Sequence, residues 1–325
     1  MSDVLTPPIE PMLARSSPTL PPAGSVQDPI WQQKVDGYRT IAYIRSGTLH
    51  LQSRRGADLT PSFPDLVTAA AQVEEDLVLD GELVVFQNGR LDFSALQQRA
   101  RLTRARAITA AQRAPAHLMA FDLLEHAGRE MLTLPCRERL DALENLFARG
   151  VLSSPWELVA STSERTVAQG WMDPDWGRVG IEGVVLRSGK RPYRPGEREL
   201  IKVRTYETAE AVIGGVTGPL HAPTTLLLGR YASDGRLRLI ARTTPLTAAD
   251  RREIAAQITP AGPEHPWRGS HFSSGWGTRG ELAFEPVQPD TIAEFRTDTA
   301  VDDGRHRHPV RFLRLRMDLA PADLA

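Results

Sequence analysis

The chain has 325 residues, with 39 Lys and Arg, 40 Asp and Glu, and a formal net charge of −1 at pH 7. This length suits one large domain or two ordinary ones, and the near-neutral charge excludes a globally basic polyanion-binding protein. The single cysteine, Cys136, excludes an internal disulfide, and neither a signal peptide nor a membrane-spanning apolar run is visible, so we expect a cytoplasmic protein that does not enter a membrane.

The first part of the chain predicts strands that alternate with helices. Its proline-rich opening, up to about Pro29, is expected to be extended and without a helix. Residues 40–44 and 48–52 predict a hairpin that turns at Ser46 and Gly47. Further strands are predicted at 77–86, 117–124, 183–187 and 200–204, and helices at 65–73, 97–113 and 137–147, by the spacing of their apolar residues.

The later part of the chain has a different pattern. Short alternating strands are predicted at 211–215, 225–231 and 236–241, with a Ser-Asp-Gly turn at Ser233–Gly235. Regular short strands over more than a hundred residues are typical of a small β-barrel. We therefore predict two domains, residues 1–205 and 206–325.

One short segment suggests covalent chemistry. Lys34 is followed by Asp36 and Gly37, and in a strand-like segment the lysine and the acid project to the same face. A lysine attacks a phosphate only as the neutral amine, so such a nucleophile needs a lowered pKa, which nearby cations and partial burial provide. Alone, this four-residue pattern more often marks a solvated lysine near a turn.

Other charged residues strengthen the chemical interpretation. They are an arginine after the hairpin, acids within or at the start of apolar strands, an aromatic–acid pair, and two cations on one strand face. In chain order these are Arg54, Asp80 and Glu82, Phe121 and Asp122, Glu182, and Lys202 with Arg204. Their joint order and spacing do not arise easily by chance.

With these motifs, the chain resembles the covalent lysyl-nucleotidyltransferase superfamily, and within it the bacterial ATP-dependent DNA ligases of the small ligase C and ligase D type. The resemblance extends from Pro11 to about Asp318. It implies an α+β adenylation domain built on antiparallel sheets, followed by an OB-fold domain. It also implies ATP as co-substrate, Mg²⁺ or Mn²⁺ as metal, and nicked duplex DNA as partner, with repair proteins as further partners and a monomeric state.

The resemblance assigns a role to each motif residue. Lys34 would be adenylated, and Asp36 and Glu182 would bind the metal. The nucleotide would be contacted by Gln32, Arg39, Glu82, Phe121, Lys202 and Arg204, of which Phe121 stacks on adenine and Glu82 bonds the ribose. Arg39 and Arg54 would contact the nicked DNA, with Arg54 on the 5′-phosphate. Near the carboxyl end, Arg316 resembles the arginine that orients the departing pyrophosphate.

Three positions depart from the family pattern. Gln32 stands where glutamate is usual, although an amide oxygen can still accept from the adenine amine. Arg204 replaces a lysine, which keeps the charge but changes the geometry. Leu319 stands where the last motif often has lysine. None of these changes affects the nucleophile.

Two stretches offer local cationic surface for DNA. They are the predicted helix with Arg99, Arg101, Arg104 and Arg106, and the segment from Arg305 to Arg316. Phosphate contacts of this kind bind without sequence preference and weaken with salt. A merely solvated helix face is the simpler account of the first cluster, and both accounts stay open.

Competing functions share parts of this pattern. RNA ligases and RNA-capping guanylyltransferases also use the lysine motif, and capping enzymes take GTP in place of ATP. An inactive relative that only binds DNA ends is a third alternative, but such a protein would tend to lose Lys34, Glu82, Glu182 or Lys202, and all four are present.

Overall fold

The computed structural model describes residues 4–87, 89–273 and 281–324. The protein is a sheet-rich α+β molecule, as predicted, and it divides into two compact units, Met1–Thr205 and Tyr206–Ala325. Within the described residues, no helix is both long and apolar enough to span a membrane.

Within its described residues, 4–87 and 89–205, the first unit contains twelve strands and five α-helices. The strands are β1 (Ala14–Ser17), β2 (Pro29–Val35), β3 (Tyr38–Arg45), β4 (Thr48–Ser53), β5 (Leu77–Gln87), β6 (Arg90–Leu91), β7 (Ala116–His126), β8 (Arg129–Glu130), β9 (Trp156–Leu158), β10 (Ser161–Thr162), β11 (Ile181–Ser188) and β12 (Leu200–Arg204). The helices are α1 (Pro64–Ala70), α2 (Phe93–Arg99), α3 (Arg104–Arg113), α4 (Cys136–Ala148) and α5 (Arg165–Gly170), with short 3-10 helices at Thr60–Ser62 and Pro174–Val179.

These strands form two sheets. One has the order β1-β12-β11-β2-β10, and the other has the order β4-β3-β5-β7-β8 with β6 beside β5 and β9 beside β7. All pairs are antiparallel except β1 with β12 and β7 with β9. The chain passes from β2 in the first sheet to β3 in the second through Asp36 and Gly37, where a Cβ on Gly37 would lie 2.3 Å from the Leu83 carbonyl oxygen. Only glycine fits this crossing between the sheets.

The predicted hairpin and most predicted strands are confirmed. β3 and β4 pair from Thr40 with Ser53 to Arg45 with Thr48, around the expected turn. Their apolar side chains alternate, so Ala42, Ile44 and Leu51 enter a core that helices α1, α2 and α4 cover. The proline-rich opening forms no helix in its described residues, and its strand β1 joins the first sheet.

The prediction of a single helix over residues 97–113 is wrong. The chain forms α2 and α3, separated at Ala100–Thr103, where Thr103 has an extended backbone (φ −140°, ψ 165°). Arg99, the last residue of α2, is 2% exposed and makes two hydrogen bonds to the Asp65 carboxylate and one to the Ala114 carbonyl oxygen. Because Arg99 points into the core, it is not part of a cationic surface.

Helix α4 is confirmed close to its predicted bounds, and it buries one charged residue that was not predicted. Leu140 and Leu143 are buried as expected, and Phe147 packs on the core at its edge. Arg139, on the same inward face, is fully buried, which the apolar pattern did not predict. The helix predicted over 65–73 ends earlier, at Ala70.

The second unit is built on antiparallel strands. They are β13 (Tyr206–Thr217), β14 (Thr225–Tyr231), β15 (Leu237–Arg242), β16 (Glu285–Pro286), β17 (Ile292–Asp298), β18 (Val301–Asp302), β19 (Arg305–His306) and β20 (Arg311–Leu315), with helix α6 (Ala248–Ala255) and a 3-10 helix at Pro321–Leu324. The main sheet has the order β15-β14-β13-β17-β20, with β16 beside β13. The three strands predicted here are confirmed, whereas β17 was not predicted.

Candidate active site

Lys34 lies near the end of β2, between the two sheets of the first unit. Its Nζ is 2.5 Å from Oε2 of Glu182 on the neighbouring strand β11, and Glu182 is 3% exposed. Burial alone would raise the pKa of Glu182, but Lys34 and then Arg204 lower it to about 2. The carboxylate is therefore ionised at neutral pH and holds the amine of Lys34 in one position.

A bulge in β11 turns Glu182 toward Lys34. Ile181 is opposite Val35 and Val184 is opposite Gln33, so two residues on β11, Glu182 and Gly183, lie opposite the single residue Lys34 on β2. The extra residue is Gly183, with φ +135° and a hypothetical Cβ only 2.2 Å from the Val203 carbonyl oxygen. The bulge lets both Glu182 and Val185 face the side of Lys34, which a regular strand would not allow.

Lys202 and Arg204 extend the same face from β12. Lys202 is opposite Val185, and Arg204 is opposite Gly183. Burial, Arg204 and Lys34 together lower the pKa of Lys202. Three cations from two strands thus lie around the Glu182 carboxylate, an arrangement suited to a polyphosphate.

These residues line a cavity of about 250 Å³. Of the site residues predicted from the sequence, the cavity is lined by Gln32, Lys34, Arg39, Arg54, Glu82, Phe121, Lys202 and Arg204. Asp36 follows β2 directly, and its carboxyl group, as a hydrogen-bond donor to the Glu182 carboxylate, helps to lower the pKa of Glu182. Arg316 belongs to the second unit.

Glu82, on β5, is an unusual member of the cavity lining. Burial raises its pKa to about 8, although Lys34 and Arg39 act in the opposite direction. At neutral pH the carboxyl group is therefore mostly protonated and can donate a hydrogen bond.

Arg39 is held by a network that the sequence did not predict. Its Nε and Nη2 bond to the two oxygens of Asp80 at 2.5 and 2.6 Å, and Tyr193 donates from its hydroxyl to Asp80 at 2.7 Å. The Arg39 guanidinium also lies over the Phe121 ring, 4.3 Å from its centroid. Burial would lower the pKa of Arg39, but Asp80 outweighs it and raises the pKa, so the arginine stays charged.

Gln32 is fixed by a second buried network. Its Nε2 donates to the Phe121 carbonyl oxygen at 3.1 Å, and its Oε1 accepts from Nη1 of Arg187 at 3.2 Å. Arg187 has no acceptor atoms, so this contact sets the orientation of the amide. One lone pair of the Gln32 oxygen is therefore occupied within the protein.

Asp122 joins Arg187 to Arg139. Its Oδ2 is 2.5 Å from Arg187 and its Oδ1 is 2.8 Å from Arg139, and all three side chains are buried. Burial would raise the pKa of Asp122, but Arg187 and Arg139 lower it. Asp80 and Asp122 were visible in the sequence as acids inside apolar strands, but their arginine partners are distant in the chain and were missed.

Arg316 is paired within the second unit. Its guanidinium makes two hydrogen bonds of 2.9 and 2.8 Å to Asp318, and Nη1 bonds to Glu210 at 2.8 Å. Asp318 and, more weakly, Glu210 raise the pKa of Arg316. The arginine is thus always charged and has acidic partners in its own unit.

The carboxylates near Lys34 fit a partial metal shell. In the part of the chain that the structure describes, no group of three or more His, Cys, Asp or Glu side chains could hold a metal by itself. Mg²⁺ in phosphate-transferring sites commonly takes one or two protein carboxylates and completes its shell with phosphate oxygens and water. Asp36 and Glu182, which contact each other, match that donor set.

The chain belongs to the family of ATP-dependent DNA ligases. The sequence model of the ATP dependent DNA ligase domain matches residues 11–204. The chain is 33% identical to DNA ligase C1 of Mycolicibacterium smegmatis and 31% identical to DNA ligase C of Mycobacterium tuberculosis, in each case over 97% of this chain and 92% of the relative. These relatives confirm the predicted family and favour a DNA ligase over an RNA ligase or a capping enzyme.

Solved structures of DNA ligases are similar to this chain as well. The ligase domain of M. tuberculosis LigD is similar with a TM-score of 0.52 and 26% identity over 98% of both chains. A mycobacterial DNA ligase D complexed with ATP has a TM-score of 0.51 at the same identity. The Lig E type of DNA ligase, 18% identical with a TM-score of 0.55, shares the fold.

Proposed function

We propose that this protein seals nicks between a 3′-OH and a 5′-phosphate in duplex DNA, through an AMP adduct on Lys34 and an adenylated DNA end. The observation that carries this proposal is the cavity that gathers Lys34, Lys202 and Arg204 around one face of the first unit. A nucleophilic amine beside two further cations matches the needs of nucleotide transfer to lysine.

The reaction consists of three in-line transfers. Nζ of Lys34 forms a phosphorus–nitrogen bond to the α-phosphorus of ATP while the bond to pyrophosphate breaks. An oxygen of the nick 5′-phosphate then attacks that phosphorus and releases the lysine. Finally the 3′-OH attacks the 5′-phosphorus and AMP leaves. Each transfer depends mainly on positioning and on neutralisation of phosphate charge.

The cavity lining supports separate roles for its residues. Phe121 offers a ring for adenine, and Gln32 contacts the Phe121 carbonyl oxygen beside it. Glu82, with its pKa raised to about 8, donates to the ribose hydroxyls. Lys202 and Arg204 hold the AMP phosphate. Arg54, exposed at the turn after β4, binds the nick 5′-phosphate, and Arg39 reaches the ribose or the nicked strand.

We propose that Asp36 and Glu182 hold Mg²⁺ or Mn²⁺ when ATP is bound. The ion would reduce the negative charge on the phosphate under attack. Glu182, which already contacts the Lys34 amine, would keep the nucleophile oriented, while Asp36 would supply the second carboxylate.

We assign residues 1–205 to an adenylation domain and residues 206–325 to an OB-fold domain. The first contains the whole cavity around Lys34, and the second is a sheet of short antiparallel strands typical of small barrels. Arg316, from the second domain, would orient the pyrophosphate as it departs. The protein would act as a monomer in the cytoplasm on nicked duplex DNA, together with repair proteins.

Labelling with α-labelled ATP tests the lysine directly. The sequence contains three lysines, Lys34, Lys190 and Lys202. Lys34→Ala should abolish transfer of AMP to the protein while its unfolding transition stays close to that of the wild type, and Lys190→Arg should label normally. Mass spectrometry should find the adduct at residue 34. Persistent labelling of Lys34→Ala would assign the nucleophile to another residue.

A further inference from the structure

A second, larger cavity lies in the first unit, next to the cavity around Lys34. It has a volume of about 630 Å³, and Leu186 and Ile201 line it, whereas their strand neighbours Val185 and Lys202 line the cavity around Lys34. Met12, Arg187 and Leu200 line both cavities, so the two cavities adjoin. The cations Arg15, Lys190 and Arg198 line only the second cavity.

The lining of this cavity is strongly cationic. It includes six Lys or Arg side chains and one acid: Arg15, Arg139, Arg187, Lys190, Arg191, Arg198 and Glu199. Glu199 is paired with Arg191 at 3.0 Å, and Asp122 is shared by Arg139 and Arg187. The side chains of Arg15, Lys190 and Arg198 have no hydrogen-bond or ion-pair partner within residues 4–87, 89–273 and 281–324. These three exposed cations are not paired with Glu199, the one acid of the lining, which pairs with Arg191 and Arg194.

One buried donor in the lining is also unsatisfied. Arg187 is 3% exposed, and its Nη groups bond to Asp122, Gln32 and the Phe121 carbonyl oxygen. Its Nε is buried and has no hydrogen-bond partner among the described residues. A buried donor without a partner is costly in free energy, so an acceptor that reaches Nε from either of the two cavities that Arg187 lines would stabilise the protein.

We propose that this cavity is a second anion-binding site that takes a phosphate group. Guanidinium groups bind phosphate through pairs of parallel hydrogen bonds, and an ammonium adds charge without fixed direction. The cavity has room for a phosphate with part of its attached group. Two sources share this chemistry: a free phosphate ion, and a backbone phosphate of the bound DNA.

The experiment uses the whole protein and two doubly substituted variants. R15Q/K190Q removes two of the unpaired cations from the cavity, and R129Q/R178Q removes the same charge at exposed positions outside it. One measurement follows Tm while inorganic phosphate replaces chloride at constant ionic strength. The other measures the Kd for nicked duplex DNA of the same proteins.

For free phosphate, the wild type and R129Q/R178Q should show a saturable rise in Tm, and R15Q/K190Q should need roughly tenfold more phosphate for the same rise. For a DNA phosphate, R15Q/K190Q should instead raise the Kd for the nick by roughly tenfold over that of R129Q/R178Q. If R15Q/K190Q matches R129Q/R178Q in both measurements, the proposal is wrong. AMP labelling of Lys34 tests the proposed ligase function independently of both measurements. A negative result for the second cavity would therefore not contradict that function.

Discussion

At the scale of single residues, the site combines two carboxyl groups with opposite protonation. Glu182 has its pKa lowered to about 2 because Lys34 and Arg204 outweigh its burial. Glu82 has its pKa raised to about 8 because burial outweighs the same kind of cation. One carboxylate therefore orients the lysine, and the other carboxyl group can act as a hydrogen-bond donor at neutral pH.

The protonated state of Glu82 predicts a pH-dependent stability. The folded protein keeps the proton up to about pH 8, whereas the unfolded chain releases it near its ordinary pKa of about 4.3. The stabilising effect is complete below the unfolded pKa and is lost as pH rises toward the folded pKa. Glu82→Gln removes this dependence. The free energy of unfolding of the variant minus that of the wild type should therefore increase by on the order of 2–4 kcal/mol from pH 4.5 to pH 8.

Urea unfolding of both proteins across this pH range measures the difference. Asp175→Asn, at an acid that is 75% exposed in the side chain, serves as a control and should show little change with pH. A constant difference between Glu82→Gln and wild type would mean that Glu82 is ionised in the folded protein.

At the scale of elements, the site depends on how strands β2, β11 and β12 meet. β2 brings Lys34, β12 brings Lys202 and Arg204, and the bulge at Gly183 in β11 turns Glu182 to the same face. The buried pairs of Asp122 with Arg139 and Arg187 connect β7, α4 and β11 beneath the cavity. Local sequence patterns predict each strand, but the offset at the bulge depends on pairing across the sheet.

Gly183→Ala tests the bulge. Its Cβ would lie 2.2 Å from the Val203 carbonyl oxygen at a backbone angle that favours glycine, so we expect a loss of stability on the order of 3 kcal/mol together with reduced AMP labelling of Lys34. Gly150→Ala is the matched control, because Gly150 also has a positive φ of 73° but no atom within 4 Å of the added carbon. It should cost roughly 1–2 kcal/mol and leave labelling unchanged. Equal effects of the two substitutions would show that the bulge does not control the site.

Asp122→Asn tests the buried pairs. The substitution leaves two buried guanidinium groups without their counter-charge, so the free energy of unfolding should fall by roughly 3–5 kcal/mol. Asp175→Asn, which breaks an exposed pair with Arg178, should cost less than about 1 kcal/mol. Chemical unfolding provides both values, and a similar cost for the two would mean that the buried network contributes little.

At the scale of the whole molecule, charge is distributed unevenly. The formal net charge is −1, yet the cavity around Lys34 and the second cavity are each lined by six cationic side chains and one acidic side chain. Contacts to DNA must therefore come from such local groups. Long-range attraction of the whole protein adds little at this net charge.

This distribution predicts different salt dependences for two activities. Binding of nicked DNA releases counterions from the phosphates, so with about six phosphate contacts its affinity should fall roughly a thousandfold between 50 and 200 mM salt. AMP labelling of the protein in the absence of DNA uses an enclosed, partly buried site that salt screens less. Labelling rates and nick-binding constants across a salt series compare the two. A parallel decline of both would contradict a separate, phosphate-dominated DNA contact.

The sequence by itself determined the family, the confirmed strands and hairpin, and eight of the residues that line the lysine cavity, because these depend on residue types at short, regular spacings. It did not predict that Arg99 and Arg139 are buried, since an arginine can enter a core only where a distant carboxylate pairs with it. The partners of Arg39 and Gln32 were likewise decided by the tertiary structure. Their contacts with Asp80 and Arg187 cross 41 and 155 residues of chain, and such long-range electrostatic pairing leaves no periodic signal in the sequence.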